Sequence, residues 1–216
     1  NLIYEEIRKI DPTNVVALQL SGVLASQVGQ HDVSIALLNK AISLKPDYVD
    51  AFYNRGIAFG ELNQFDDAIA DYTMTIALKG DSAEAFNNRG AAYRSIGQHD
   101  KALVDLNKAI SLKPYYAEAL NNRGIVFKEL GQFNKSLTDY TKAIMLKPDY
   151  AEAFNNRGIA NQKFQRRREA LQDYNQAITI YPEFFDALNN RGIVHQELKD
   201  FEKALEDFDQ ALVLKP

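Results

Sequence analysis

The chain has no cysteine, three histidines and six prolines in 216 residues. Without cysteine there is no disulfide, no thiol nucleophile and no thiolate metal ligand. The histidines (His31, His99 and His195) are scattered, and no HExxH helix, phosphate loop or dinucleotide fingerprint occurs. No catalytic residue, metal site or cofactor is therefore expected, and the chain reads as a non-enzyme. No apolar run approaches the ~20 residues that span a bilayer, and no signal-peptide pattern is present. The expectation is no membrane contact and a cytoplasmic location. A net charge of −4 argues against nucleic acid as a ligand. The first residue is Asn1 rather than methionine, and it falls inside a repeating pattern, so the chain is expected to be a segment of a longer protein.

The few prolines are ordered. Pro12, Pro46, Pro114, Pro148, Pro182 and Pro216 lie on one lattice with a 34-residue step, and the one empty slot holds Gly80. A second lattice with the same step is complete: Gly22, Gly56, Gly90, Gly124, Gly158 and Gly192. Two registers with one period mean a unit copied in tandem. In the stretch 117–150, apolar or small residues recur at helical spacing: Leu120, Gly124 and Phe127, then Ser136, Leu137, Tyr140, Ala143 and Ile144. Gly131 separates the two halves and Pro148 ends the second. Each unit is thus a helical hairpin, helix A, turn, helix B. Glycine costs a helix interior ~1 kcal/mol, so its presence at the eighth position of every repeat implies a close helix contact.

This pattern resembles the tetratricopeptide repeat over the whole chain. Repeat 3 carries Phe86, Gly90, Tyr93, Ala102, Leu106, Ala109 and Pro114 at the signature positions, and repeat 4 carries Leu120, Gly124, Phe127, Ser136, Tyr140, Ala143 and Pro148. The resemblance implies an all-α fold, a right-handed α-α superhelix whose A helices line the concave face. Six repeats are expected at 15–48, 49–82, 83–116, 117–150, 151–184 and 185–216, after a leading helix B over 1–14, as one solenoid spanning 1–216. Repeat 2 departs from the signature with Thr75 and Gly80, which predicts the least regular junction there. Repeat 5 departs with Asn161 and a basic turn, Arg166, Arg167 and Arg168. A solvated turn is the favoured reading of these arginines, with a handle for an acidic partner as the alternative.

Comparing positions across repeats separates two columns. Position 7 is Arg55, Arg89, Arg123, Arg157 and Arg191, while position 23 is Asp71, Asp105, Asp139, Asp173 and Asp207. Repeat 1 lacks both, having Ser21 and Leu37. An antiparallel hairpin sets these positions level, which predicts a repeated bidentate ion pair. Position 6 is Asn54, Asn88, Asn122, Asn156 and Asn190, and position 5 is also asparagine at Asn87, Asn121, Asn155 and Asn189. Asparagine is a poor helix residue. Its amide carries a donor and an acceptor, as a peptide bond does, so a column of them can grip an extended backbone. Helices pack ~8–10 Å apart and an extended chain advances ~3.3 Å per residue, so each repeat would match about three peptide residues. Acids at position 2 (Asp50, Glu84, Glu118, Glu152 and Asp186) suit a helix N-terminus, with attraction of a basic partner as the alternative.

The asparagine column also resembles the ladder in the tetratricopeptide arm of protein O-GlcNAc transferases, where such residues hold the substrate backbone. Chaperone-binding relatives instead use Lys at position 5 and Asn at position 9; here position 5 is Asn, Gln or Tyr, and position 9 is apolar. The leading expectation is a scaffold that binds a protein or extended peptide in its groove, with Asn54, Asn88, Asn122, Asn156, Asn190, Asn87, Asn121, Asn155 and Asn189 as the binding residues. The alternatives are the substrate arm of a larger O-GlcNAc transferase-like glycosyltransferase, and a scaffold that forms homo-oligomers by end-to-end stacking. Leu205, Phe208 and Leu212 on the last helix favour the last of these.

Overall fold

Helical periodicity, broken by a glycine or a proline at fixed intervals, becomes twelve full helices among the residues that the computed structural model describes, Ile7 and 10–215. They are α1 (Val15–Gln27), α2 (His31–Leu44), α3 (Val49–Glu61), α4 (Phe65–Leu78), α5 (Ala83–Ser95) and α6 (His99–Leu112). After these come α7 (Ala117–Glu129), α8 (Phe133–Leu146), α9 (Ala151–Lys163), α10 (Arg167–Ile180), α11 (Phe185–Glu197) and α12 (Phe201–Leu214). No strand occurs among the described residues. The fold is all-α, built from six helix–turn–helix hairpins. The helix expected over 1–14 lies mostly outside the described residues.

The chain divides into two compact units, Asn1–Pro114 and Tyr115–Pro216. In the first, α1 packs on α2, α3 on α4 and α5 on α6; successive hairpins join through α2–α3 and α4–α5, and the A helices touch through α1–α3 and α3–α5. In the second, α7 through α12 repeat this arrangement.

The core follows from small residues on facing helices. Ala51, Ala85, Ala119, Ala153 and Ala187 on the A helices are fully buried, as are Ala68, Ala102 and Ala170 on the B helices. The position 8 glycines sit against the side chain sixteen residues on. A Cβ on Gly124 would lie 2.6 Å from the Tyr140 ring, and one on Gly158 would lie 2.6 Å from the Tyr174 ring. Any larger residue would displace a buried aromatic ring.

The two turn types have separate causes. Helix A ends on a left-handed residue, with Gly97 at φ 73° and Gly131 at φ 72°. Gln98 then donates its amide to the Tyr93 carbonyl and Gly97 to that of Arg94, which closes the helix end. Helix B ends differently: Lys45 leaves the helix at φ −137°, ψ 89°, before Pro46. Lys79 does the same at φ −139°, ψ 91°, before Gly80. The junction at Gly80 is therefore as regular as its proline-bearing counterpart, contrary to the sequence expectation. The amide of Lys79 returns to the Thr75 carbonyl as that of Lys45 returns to Ala41, and the buried Thr75 hydroxyl is satisfied by the Asp71 carbonyl at 3.0 Å. The helix end sets this turn, and the proline ring only suits it.

Gly80 lies outside the left-handed region, and no atom crowds its Cβ position within 3.4 Å. Gly80→Pro is expected to raise unfolding stability by about 0.4–1 kcal/mol, by restricting the unfolded chain. Urea unfolding checks this: the midpoint rises while the slope stays unchanged.

Candidate functional site

Position 7 and position 23 meet inside each hairpin. Arg55 reaches Asp71 through Nε at 2.8 Å and Nη2 at 2.6 Å. Arg89–Asp105 and Arg123–Asp139 close at 2.7 Å, Arg157–Asp173 at 2.6 Å and Arg191–Asp207 at 2.5 Å. The five carboxylates are 3–5% exposed, so each fork is charge-assisted and largely dry. Burial pushes the Asp71 and Asp173 carboxyls above their ordinary value, and the hydrogen bonds from Arg55 and Arg157 oppose it. The guanidinium groups lie against ring faces: Arg55 over Phe52 and Phe59, Arg89 over Phe86 and Tyr93.

The third nitrogen of the fork crosses to the preceding repeat. Nη1 of Arg55 donates to Asn39, that of Arg89 to Thr73 at 3.0 Å, that of Arg157 to Thr141 at 3.4 Å and that of Arg191 to Asn175 at 2.7 Å. The pair was legible in the sequence, but its partner at position 25 was not. That column alternates Asn and Thr, so no single residue type recurs; the signal was a repeated acceptor. Asn161, in an aromatic slot, is buried and donates to Asp173 at 3.0 Å, completing that carboxylate's shell. All these groups are engaged in holding the scaffold.

The position 6 asparagines remain at the surface. Asn54, Asn88, Asn122, Asn156 and Asn190 are all half-buried. Those at position 5 lie deeper: Asn87, Asn121 and Asn155 are buried, and Asn189 is half-buried. The two positions differ by the ~100° that one residue turns along a helix, which carries position 5 into the contact between neighbouring A helices. The two columns are joined by hydrogen bonds between side-chain amides across repeats. Asn156 donates to Asn121 at 3.1 Å and Asn190 to Asn155 at 3.0 Å. In the first unit Tyr53 occupies position 5 and accepts from Asn88 at 3.2 Å, while Asn54 donates to its own helix at the Asp50 carbonyl. One amide hydrogen thus fixes each of Asn54, Asn88, Asn156 and Asn190. The second hydrogens of Asn54, Asn156 and Asn190 remain available at the surface, as do the carbonyl oxygens of Asn156 and Asn190, whereas Asn88 also accepts from Asn87 at 3.0 Å and hydrogen-bonds the Tyr72 phenol.

Some of the other charged candidates are paired. Glu84 takes Lys113 at 3.0 Å and Glu118 takes Lys147 at 3.1 Å, and the Lys113 hydrogen bond holds the Glu84 carboxyl below its ordinary value. These acids at position 2 therefore bridge to the lysine that precedes each proline slot. In the basic turn, Arg167 pairs with Glu197 at 2.9 Å and Arg166 lies over the Phe164 ring. His31 contacts Ser26 at 3.3 Å, and His195 lies 3.9 Å from Asp200. Among the described residues no group of His, Asp and Glu could hold a metal ion, and no helix is long and apolar enough to cross a membrane.

Comparisons agree with this architecture. Family models described as tetratricopeptide repeat match residues 83–116 and 185–216, 151–184 and 50–78. One described as TPR repeat matches 27–63 and 126–164. No curated protein sequence matches the chain. Among solved structures, a chain of the APC/C hetero-tetramer Cut9–Hcn1 is similar with a TM-score of 0.91 and 19% identity; the match covers all of this chain but 43% of that one. MamA is similar at TM-score 0.65 and 25% identity, over 78% of this chain and 92% of that one. YrrB, described as a TPR protein with an unusual peptide-binding site, is similar at TM-score 0.63 and 21% identity, over 86% and 95%.

Replacing Arg157 by Met leaves Asp173 buried without its counter-charge and is expected to cost about 3–5 kcal/mol at neutral pH. The freed carboxyl then titrates well above its unfolded value of ~4. Between the two values the folded state holds a proton that the unfolded state does not, so stability rises as pH falls through that window. Denaturation of Arg157→Met from pH 7 to pH 5 checks both the size and the sign.

Proposed function

The chain belongs to the tetratricopeptide-repeat family, whose fold generally mediates protein–protein interaction, and we propose that it binds an extended segment of a partner protein along its A helices. The position 6 asparagines make the contacts to the partner's backbone. One observation carries the reading: three of these amides (Asn54, Asn156 and Asn190) are each pinned by one protein hydrogen bond at a half-buried surface position, with hydrogen-bonding capacity left over. A pinned amide loses little rotamer entropy on binding, which favours affinity. The buried asparagines at position 5 orient this column from beneath rather than touch the ligand.

Within each unit, neighbouring A helices are in contact, so successive asparagines are spaced about 10 Å apart. That distance matches about three residues of extended chain. Grip on the backbone makes the contact tolerant of sequence, and side-chain pockets beside the column supply selectivity. The likeness to YrrB, whose description records a peptide-binding site, agrees with this use of the fold.

The test uses a degenerate dodecapeptide library labelled for fluorescence polarisation. Three lost hydrogen bonds at ~1 kcal/mol each are expected to weaken binding at least tenfold when Asn122, Asn156 and Asn190, all in the second unit, are changed together to Ala, with helical content unchanged by circular dichroism. Equal affinity of the folded triple variant would overturn the proposal.

A further inference from the structure

We propose that the cavity between α3, α4 and α5 is a selectivity pocket that takes one lysine-type side chain, an aliphatic stem ending in a cation, from the bound segment. This rests on the peptide-binding reading above. The cavity has a volume of about 210 Å³, and Asn88 of the asparagine column lines it. A side chain leaving a backbone that runs along this column past Asn88 therefore has this cavity as its neighbour.

Two small residues create the space. Position 9 is Val23, Ile57, Ile125, Ile159 or Ile193 in the other repeats but Ala91 here. Position 12 is Ser26, Arg94, Lys128, Gln162 or Gln196 elsewhere but Gly60 here. Repeat 2 followed by repeat 3 is the one pair that combines a glycine at position 12 with an alanine at the facing position 9. A Cβ on Gly60 would meet only the Tyr72 hydroxyl, at 4.0 Å.

The lining chooses the occupant. Ile57, Phe65, Tyr72 and Ala91 offer apolar walls to a run of methylenes. Glu61 is the one charged lining residue; it is exposed and has no ion-pair partner among the described residues. The remaining polar groups can accept hydrogen bonds. Ser95 donates its own proton to the Ala91 carbonyl, which leaves its oxygen as an acceptor. Burial raises the Tyr72 phenol far above its ordinary value, so it stays neutral, and beside the hydrogen bond from Asn88 one lone pair is left to accept another. An acidic side chain would meet Glu61 as a like charge. A purely apolar one would fill the walls and leave the carboxylate unanswered. A lysine-type chain satisfies both, its stem against the walls and its head at the wet rim.

The pocket can be tested without any peptide. The full chain is titrated with Nα-acetyl-lysine N-methylamide while the amide signals of Gly60, Ala91 and Ser95 are followed by NMR. The norleucine and glutamate analogues serve as probes of the same size range. Saturable shifts confined to this pocket are expected for lysine, at millimolar affinity as befits one side chain, with norleucine weaker and glutamate absent. Glu61→Gln should weaken lysine about threefold, the scale of an exposed ion pair, and leave norleucine unchanged. Ala91→Ile, which restores the residue of other repeats, should abolish both responses. No shift, equal binding of lysine and norleucine, or lysine binding that survives Ala91→Ile would each overturn the proposal. The asparagine column fails independently, through unchanged peptide affinity in its alanine variants.

Discussion

The buried Arg–Asp fork at positions 7 and 23 is the interaction on which the remaining features depend. It joins helix A to helix B within a repeat, and its third nitrogen reaches the previous repeat at Asn39, Thr73, Thr141 or Asn175. One guanidinium therefore fixes both the hairpin and its stacking on a neighbour. A lysine could supply the charge but not three directed hydrogen bonds from a planar group. The position 8 glycine makes the fork possible by letting the helices approach until an aromatic or leucine side chain rests on its backbone. Repeat 1 has neither partner and holds its hairpin by apolar packing of Leu18, Leu38 and Ala41, with Leu37 in the aspartate slot.

A scaffold fixed in this way keeps the position 6 face of each A helix half-buried at the surface. That is where asparagine, a poor helix former, recurs. Its cost in propensity is absorbed because the helices are held by packing rather than by intrinsic preference. The column is itself braced: Asn121 and Asn155 lie buried and hold the surface amides of Asn156 and Asn190. The half-buried amides of Asn156 and Asn190 are thus preorganised by the buried ones beside them.

Much of this could be read from the sequence because repetition supplies internal comparison. The Arg–Asp pair was visible because both residues recur together and both are missing from repeat 1. The helical hairpins followed from the proline and glycine lattices. What stayed hidden depends on side-chain direction or on chemistry shared by different residues. Asn87 and Asn88 look equivalent in a string, yet a ~100° turn puts one in the interior and the other at the surface. The acceptor at position 25 was masked by alternation of Asn and Thr. The lysines that bind Glu84 and Glu118 stand 29 residues away, in a column directly before the proline slot that the acids' own position does not point to. Gly80 misled because proline marks the B–A turn without causing it.

The central claim is that this surface holds a peptide by its backbone. The direct measurement compares a degenerate dodecapeptide library with the same library N-methylated at every third residue. N-methylation removes backbone donors while leaving side chains in place. If the asparagines grip the backbone, the methylated library binds at least several-fold more weakly to the wild type, and the difference shrinks in the variant with Asn122, Asn156 and Asn190 changed to Ala. Equal binding of the two libraries to the wild type would contradict the account.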